Sequence, residues 1–65
     1  MLNNSIGRVI RKPELLKKIP LSYVSIWRME REGRFPKRIQ LGAGAVGWIE
    51  REVDDWIAER MAARG

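Results

Sequence analysis

The stretch "IPLSYVSIWRMEREGRFPKR", residues 19–38, decides the fold that we predict for this chain. Pro20 ends one helical segment, because proline has no backbone N–H to donate and its ring clashes with the preceding turn of a helix. Ser22 is a favoured N-cap for the next helix, since its hydroxyl can accept a hydrogen bond from an exposed N–H of the first turn. Leu21 and Ile26 stand at the N′ and N4 positions, which is the spacing of a hydrophobic staple. The stretch therefore predicts a helix that starts at a defined residue.

The flanking residues predict a shorter helix before this one and a sharp end after it. Pro13 suits the first turn of a helix, where its missing N–H costs nothing, so the first helix is predicted from Pro13 to about residue 19. The second helix is predicted over about residues 22–32, with Gly33 just past its C-cap. Two helices joined by so short a break are typical of a helix-turn-helix.

The second half of the chain predicts a β-hairpin over residues 38–48. "RIQL" (residues 38–41) alternates polar and apolar residues, and "AVGW" (residues 45–48) follows a glycine-rich turn over residues 42–44.

A final helix closes the predicted core. Phe35, Trp48 and Trp56 are predicted to lie inside, with Trp27 in the core or at its edge. Acidic residues fall in the first turns of the final helix, where the helix dipole favours them. Its apolar residues form one helical stripe, made of Ile49, Val53, Trp56, Ile57 and Met61.

Charge is distributed unevenly along the 65 residues. Residues 1–40 contain ten Lys and Arg against three Glu, a charge of +7, whereas residues 41–65 contain three Arg against five Asp and Glu, a charge of −2. The net charge is +5. Such asymmetry is expected of a protein that turns one side to a polyanion such as nucleic acid.

The composition excludes several classes of protein. The chain has no cysteine and no histidine, which removes disulfides, thiol nucleophiles, imidazole bases and the usual zinc ligand sets. We expect no enzymatic activity, cofactor, metal or small-molecule ligand. The longest uncharged run, residues 39–49, is too short to span a bilayer, and the N-terminus lacks the apolar block of a signal peptide. We expect a bacterial cytoplasmic protein, nucleoid-associated when it is bound to DNA.

The second helix is predicted to turn a basic face away from the core. At about 100° per residue, Val24, Arg28 and Arg31 fall opposite Ile26, with Tyr23 and Trp27 on the flank between. Arginine can donate two hydrogen bonds to guanine, and a small apolar side chain can contact a thymine methyl group. The capped N-terminus can also offer backbone N–H groups to a phosphate. The alternative is a solvated face on which these arginines pair with Glu30 or Glu32.

Three segments together resemble the AlpA-type phage regulatory proteins: "RKPELL" (residues 11–16), "PLSYVSIWRMEREGRFPK" (residues 20–37) and "LGAGAVGWIEREVDDWI" (residues 41–57). The resemblance extends from Arg8 to Ala63. It implies a mainly α fold with a small β-hairpin, the winged helix-turn-helix of MerR-type and excisionase domains. The implied organisation is a flexible tail over residues 1–7, then a single DNA-binding domain over residues 8–65.

The resemblance also implies how such a domain contacts DNA. The second helix, about residues 22–32, would read the major groove, and a basic wing at residues 36–48 would meet the backbone or minor groove. Tyr23 and Val24 stand where related proteins often carry basic or polar residues, so a different base preference is expected. Gly44 takes the place of the arginine that usually forms the wing tip. We predict DNA contacts both on the exposed side of the second helix and in the basic segment that follows it. These residues are Ser22, Tyr23, Val24, Ser25, Arg28, Arg31, Pro36, Lys37 and Arg38.

The function predicted from these features is a sequence-specific transcriptional regulator of a prophage or integrative element, with double-stranded DNA as its partner. An architectural excisionase that acts directly in recombination would use the same fold and face. An antitoxin or adaptor that turns its basic face to an acidic protein is an alternative of another class. A homo-oligomer on DNA is left open.

Overall fold

A computed structural model describes residues 7–64 of the chain. Three helices accompany a three-stranded antiparallel sheet, which is compatible with a small helix-turn-helix domain. The predicted tail over residues 1–7 lies, except for Gly7, outside the described residues. In chain order, the elements are β1 (Val9–Ile10), α1 (Lys12–Lys18), α2 (Tyr23–Arg31), β2 (Ile39–Gly42), β3 (Ala45–Ile49) and α3 (Glu50–Ala63).

The predicted start and end of α2 are confirmed. Ser22 is the N-cap, and its hydroxyl oxygen accepts a hydrogen bond from the backbone N–H of Ser25 at 3.1 Å. Past the other end, Gly33 adopts a φ of 76°, a left-handed conformation that glycine accepts without steric cost. This turn lets the N–H of Arg34 reach the carbonyl of Met29 at 2.8 Å, the closing bond of a Schellman motif. The sequence thus fixes α2 at both ends.

The sheet contains a strand that the sequence pattern does not predict. β1 pairs antiparallel with β3, with Val9 opposite Ile49 and Ile10 opposite Trp48, so β3 lies in the centre of the order β1-β3-β2. Two residues are too few to show an alternating pattern. Pairing with β3 ties the segment before α1 to the start of α3.

The predicted hairpin is confirmed as β2 and β3. Gly42 pairs with Ala45 across a two-residue turn, in which Gly44 has a φ of 72°. The register shifts between Gln40 and Gly42, which leaves Leu41 46% exposed although the alternation of "RIQL" gave it the apolar position. A bulge of this kind turns the following side chain out of the regular pattern.

The core lies where α1, α2 and α3 meet the sheet. Phe35 and Trp48 are buried, as predicted, and Trp56 is half-buried against them. The Trp56 indole N–H donates to the carbonyl of Arg34 at 2.7 Å. The buried apolar residues are Ile10, Leu15, Ile19, Ile26, Met29, Phe35, Trp48 and Val53.

Two apolar residues predicted to pack inside are exposed instead. Trp27 was predicted in the core or at its edge, and an exposure of 45% shows that it is not in the core. At about 100° from Ile26, it lies on the flank of the helix and not on the packed side. Met61, which ends the apolar stripe predicted for α3, is 63% exposed, whereas Val53 on the same side of the helix is buried. Within residues 7–64, no helix is long and apolar enough to cross a membrane.

Candidate nucleic-acid interface

Four residues of α2 are exposed, and they share one side of the helix. We call Val24, Trp27, Arg28 and Arg31 the open face of α2. Val24 is 61% exposed, and at about 100° per residue the four positions span a sector of about 100°. The predicted orientation of α2 is therefore confirmed. The buried residues of the same helix lie on the opposite side: Ile26, Met29 and Glu30.

The open face combines aromatic surface with positive charge. The Arg31 guanidinium lies over the Trp27 ring, with its carbon 4.8 Å from the ring centre. A cation–π contact acts between the positive charge and the face of the ring, so it does not use the N–H donors of the guanidinium. Trp27 therefore supports a cation on the surface, a role that the sequence pattern alone does not reveal.

The arginines of the open face keep their charges free of internal partners. In the described part of the chain, no salt bridge involves Arg28 or Arg31. The two acids that could have neutralised them are engaged elsewhere, Glu30 by Arg38 and Glu32 by Arg34. Among the described residues, Arg28 and Arg31 are thus not paired with Glu30 or Glu32, which was the alternative arrangement. An exposed pair of unneutralised arginines is suited to an anionic partner.

The N-terminus of α2 is organised by two predicted site residues, Ser22 and Ser25. Besides accepting from the Ser25 N–H, the Ser22 hydroxyl lies 2.9 Å from the Ser25 hydroxyl. Ser22 is exposed and Ser25 half-buried. The two hydroxyls hold the first turn in place beside the open face.

Glu30 organises the contact between α2 and the hairpin. Its carboxylate is buried and accepts hydrogen bonds from the Arg38 side chain at 3.0 and 2.9 Å and from the Arg38 backbone N–H at 3.2 Å. The Trp48 indole N–H also donates to it, at 3.2 Å. These hydrogen bonds to Glu30 raise the pKa of the Arg38 guanidinium above its ordinary value.

Tyr23 completes this network on the other side of Arg38. The Arg38 guanidinium donates to the Tyr23 hydroxyl at 2.6 Å, and the Tyr23 ring meets the Trp48 ring edge-on at 6.5 Å. The polar atoms of two predicted contact residues, Tyr23 and Arg38, are thus used inside the fold. Glu30 is a buried residue that was not predicted. Its position about 40° from Ile26 on the helix was the available signal.

Pro36 and Lys37 lie beside α3. Lys37 is exposed and Pro36 half-buried, and both line a shallow depression beside α3. Glu52, Asp55 and Glu59 line the same depression, so the predicted basic exit adjoins the acidic side of α3.

Two cations that the sequence pattern did not reveal as candidates contact α2 and the hairpin. The Lys12 ammonium is 4.0 Å from the centre of the Tyr23 ring. Arg11 donates from Nε to the carbonyl of Val46 in β3 at 3.0 Å. Both residues are exposed. The start of α1 therefore adds positive charge next to α2 and the hairpin, a proximity that depends on tertiary packing.

Comparison with known proteins gives consistent matches along this chain. The family described as "Prophage CP4-57 regulatory protein (AlpA)" matches residues 8–61. The chain is 36% identical over 66 residues to the DNA-binding transcriptional activator AlpA of Escherichia coli K12, which covers 92% of this chain and 94% of that protein. It is also 39% identical over 57 residues to the uncharacterized protein ORF88 of Enterobacteria phage P4. That match covers 88% of this chain and 65% of the phage protein.

Proposed function

The chain belongs to the AlpA family of phage and prophage regulatory proteins, and from this membership we propose that it is a sequence-specific DNA-binding transcriptional regulator of a prophage or integrative element. The observation that carries the proposal is the open face of α2, on which two arginines that form no salt bridge within residues 7–64 lie beside apolar surface. The name of the Escherichia coli relative, a DNA-binding transcriptional activator, supports the same class of function. In this proposal α1 and α2 form the helix-turn-helix, and residues 36–48 form the wing.

The open face is proposed to lie in the major groove of double-stranded DNA. Arg28 and Arg31 can each donate two hydrogen bonds to one guanine, and Val24 offers the apolar surface that a thymine methyl group favours. Trp27 keeps the Arg31 guanidinium in a defined orientation, which reduces the entropy lost when it binds a base. Ser22 and Ser25 present the first turn of α2 to a phosphate.

The residues around the open face are proposed to fix its position. Glu30 in α2 binds Arg38, the residue just before β2, so the helix and the wing move as one unit. Tyr23 and Arg38 are therefore assigned to supporting the contact surface, since their polar groups already bind each other. Lys12, Arg11 and Lys37 are assigned to phosphates, because an exposed cation beside the groove strengthens binding without reading sequence.

Selection of genomic fragments on the immobilised protein, followed by footprinting, tests this proposal. We expect a defined site whose affinity falls log-linearly with salt concentration, because arginines that neutralise phosphates release counterions. A double variant with Arg28→Ala and Arg31→Ala should lose the footprint. Arg64→Ala, which removes one exposed cation from the end of α3, is the control and should keep it.

Two results would contradict the proposal. Recovery of random fragments with no footprint would indicate a protein without sequence preference. Failure of any duplex to bind at low salt would favour the adaptor alternative, in which the basic face meets an acidic protein.

A further inference from the structure

The last two turns of α3 carry an apolar stripe beyond the core. Along one side of the helix, Val53 is buried, Ile57 is half-buried and Met61 is 63% exposed. The spacing of four residues keeps all three on the same side. Burial along this side therefore decreases toward the C-terminal end of α3.

The exposed end of this stripe forms one wall of a groove, and the turn between α1 and α2 forms the other. Leu21, which is 43% exposed, stands across from Met61. The groove has a volume of about 400 Å³. This falls within the range of about 300–1,000 Å³ in which proteins bind ligands of a few side chains in size. Its lining consists of Lys18, Ile19, Pro20, Leu21, Trp56, Ile57, Arg60, Met61 and Arg64.

Among the described residues, the charged side chains that line the groove are all basic. Its three charged lining residues are Lys18, Arg60 and Arg64, and none of the residues that line it is acidic. Lys18 is already paired with Asp54 at 2.8 Å and Glu50 at 3.2 Å, so the available charge lies on the two arginines. Arg60 lies over the Trp56 ring at 4.6 Å and stays exposed.

A second copy of this chain fits the groove poorly. Self-association through the same surface would bring Arg60 and Arg64 against their own counterparts. Of the acids of α3, Glu50 and Asp54 lie on the same side of the helix as Ile57, but Lys18 already pairs with both. The other acids, at positions 52, 55 and 59, lie on the opposite side. Nine lining residues are also few compared with about 20–30 on each side of a standard stable interface.

We propose that this groove binds an acidic amphipathic segment of another protein, whose apolar side chains fill the space between Leu21 and Met61 while its carboxylates meet Arg60 and Arg64. Helices bind hydrophobic grooves in this way through side chains spaced three and four residues apart. The groove is formed by the α1–α2 turn and the end of α3, whereas the open face of α2 is a separate surface. The protein could therefore hold DNA and such a partner together.

Selection from a phage-displayed library of random peptides tests the proposal with a probe that assumes no sequence. Peptides of roughly 16 residues, about 24 Å long as helices, would be selected on the wild-type protein and counter-selected on Met61→Asp. We expect the enriched peptides to be negatively charged, with apolar residues at helical spacing. A synthetic copy of the most enriched peptide should bind wild type at least about tenfold more tightly than it binds Met61→Asp, a difference of about 1.4 kcal/mol.

Matched variants separate groove binding from general attraction and from misfolding. The double variant with Arg60→Glu and Arg64→Glu should lower the affinity for the peptide at least as much as Met61→Asp does. Arg51→Glu, an exposed charge reversal on another side of α3, should leave that affinity within about twofold of wild type. Circular dichroism of each variant reports whether α3 is intact, and the arginine pair replaces Met61→Asp if that variant unfolds.

Three results would overturn the proposal. Enrichment of peptides without excess acidic residues would remove the charge argument. Equal losses in Arg51→Glu and in the groove variants would indicate unspecific attraction. A wild-type dimer in sedimentation that Met61→Asp dissociates would assign the groove to a second copy.

Discussion

Replacing Glu30 by alanine should destabilise the fold more than any exposed substitution on α2. The change leaves the buried Trp48 indole N–H without its acceptor, which costs about 1–3 kcal/mol. It also removes the acidic partner of Arg38, and breaking a buried pair in this way costs about 3–5 kcal/mol. Because the Arg38 side chain is 24% exposed and can regain water, we expect a combined loss of about 3 kcal/mol. At about 0.05–0.15 kcal/mol per residue, this is a large part of the stability of so small a domain.

Urea unfolding followed by circular dichroism measures this loss. Glu32→Ala is the control, because Glu32 belongs to an exposed pair with Arg34 that is worth at most about 1 kcal/mol. If Glu30→Ala proves unfolded without urea, Glu30→Gln, which keeps one acceptor oxygen, should show a smaller but measurable loss. Equal stability of the Glu30 and Glu32 variants would refute the view that this carboxylate joins α2 to the hairpin.

Three further substitutions test separate parts of the structure. Gly47→Ala should cost about 1–3 kcal/mol in the same unfolding assay, because a Cβ there would lie 2.6 Å from Val9 Cγ1. Gly42→Ala is the control, since a Cβ at residue 42 meets nothing within 4 Å. Equal stabilities of the two variants would argue against the pairing of β1 with β3. Lys37→Ala should lower the salt dependence of DNA binding by about one unit on specific and random duplexes alike, and an unchanged slope would assign Lys37 to the acidic side of α3 that it adjoins. The hydrogen bonds to Asp54 and Glu50 raise the pKa of Lys18, so its stabilising contribution is complete below its ordinary pKa and is lost as the pH rises through the raised value. As the pH rises above the ordinary lysine pKa of about 10.4, Lys18→Met should therefore lose less stability than wild type or Lys17→Met. Identical losses would show that the Lys18 pairs do not stabilise the fold.

Local signals in the sequence predict the helices because each signal acts within a few residues. Ser22 caps α2 through a bond to a residue three positions away, and Gly33 closes it through bonds that span one turn. The orientation of α2 was likewise predictable, since the periodicity that buries Ile26 necessarily exposes Arg28.

The parts that could not be predicted depend on contacts between distant residues. β1 exists because Val9 and Ile10 meet β3 some 40 positions later, and no pattern in two residues announces that pairing. Trp27 is large and apolar, which favours a core position, but the side of the helix it occupies is not covered by another element. Glu30 is charged, which favours the surface, but Arg38 from the hairpin compensates its burial.

The same distinction applies to the candidate site. The open face follows from helical periodicity alone, and so it was available from the sequence. The engagement of Tyr23 with Arg38 and the approach of Lys12 to α2 require the packed fold. The sequence therefore does not tell which basic side chains, such as Arg38, are bound within the fold and which, such as Arg28, are free of such contacts among residues 7–64.

The most direct test of base recognition by the open face of α2 compares wild type and Arg28→Ala on the footprinted duplex and on a random duplex at one salt concentration. If Arg28 contacts a base edge, the substitution should cost about 1–3 kcal/mol on the footprinted site, cost clearly less on random DNA, and relax the preference at one base position. An equal loss on both duplexes, with the preference unchanged at every position, would contradict the account and restrict Arg28 to the phosphate backbone.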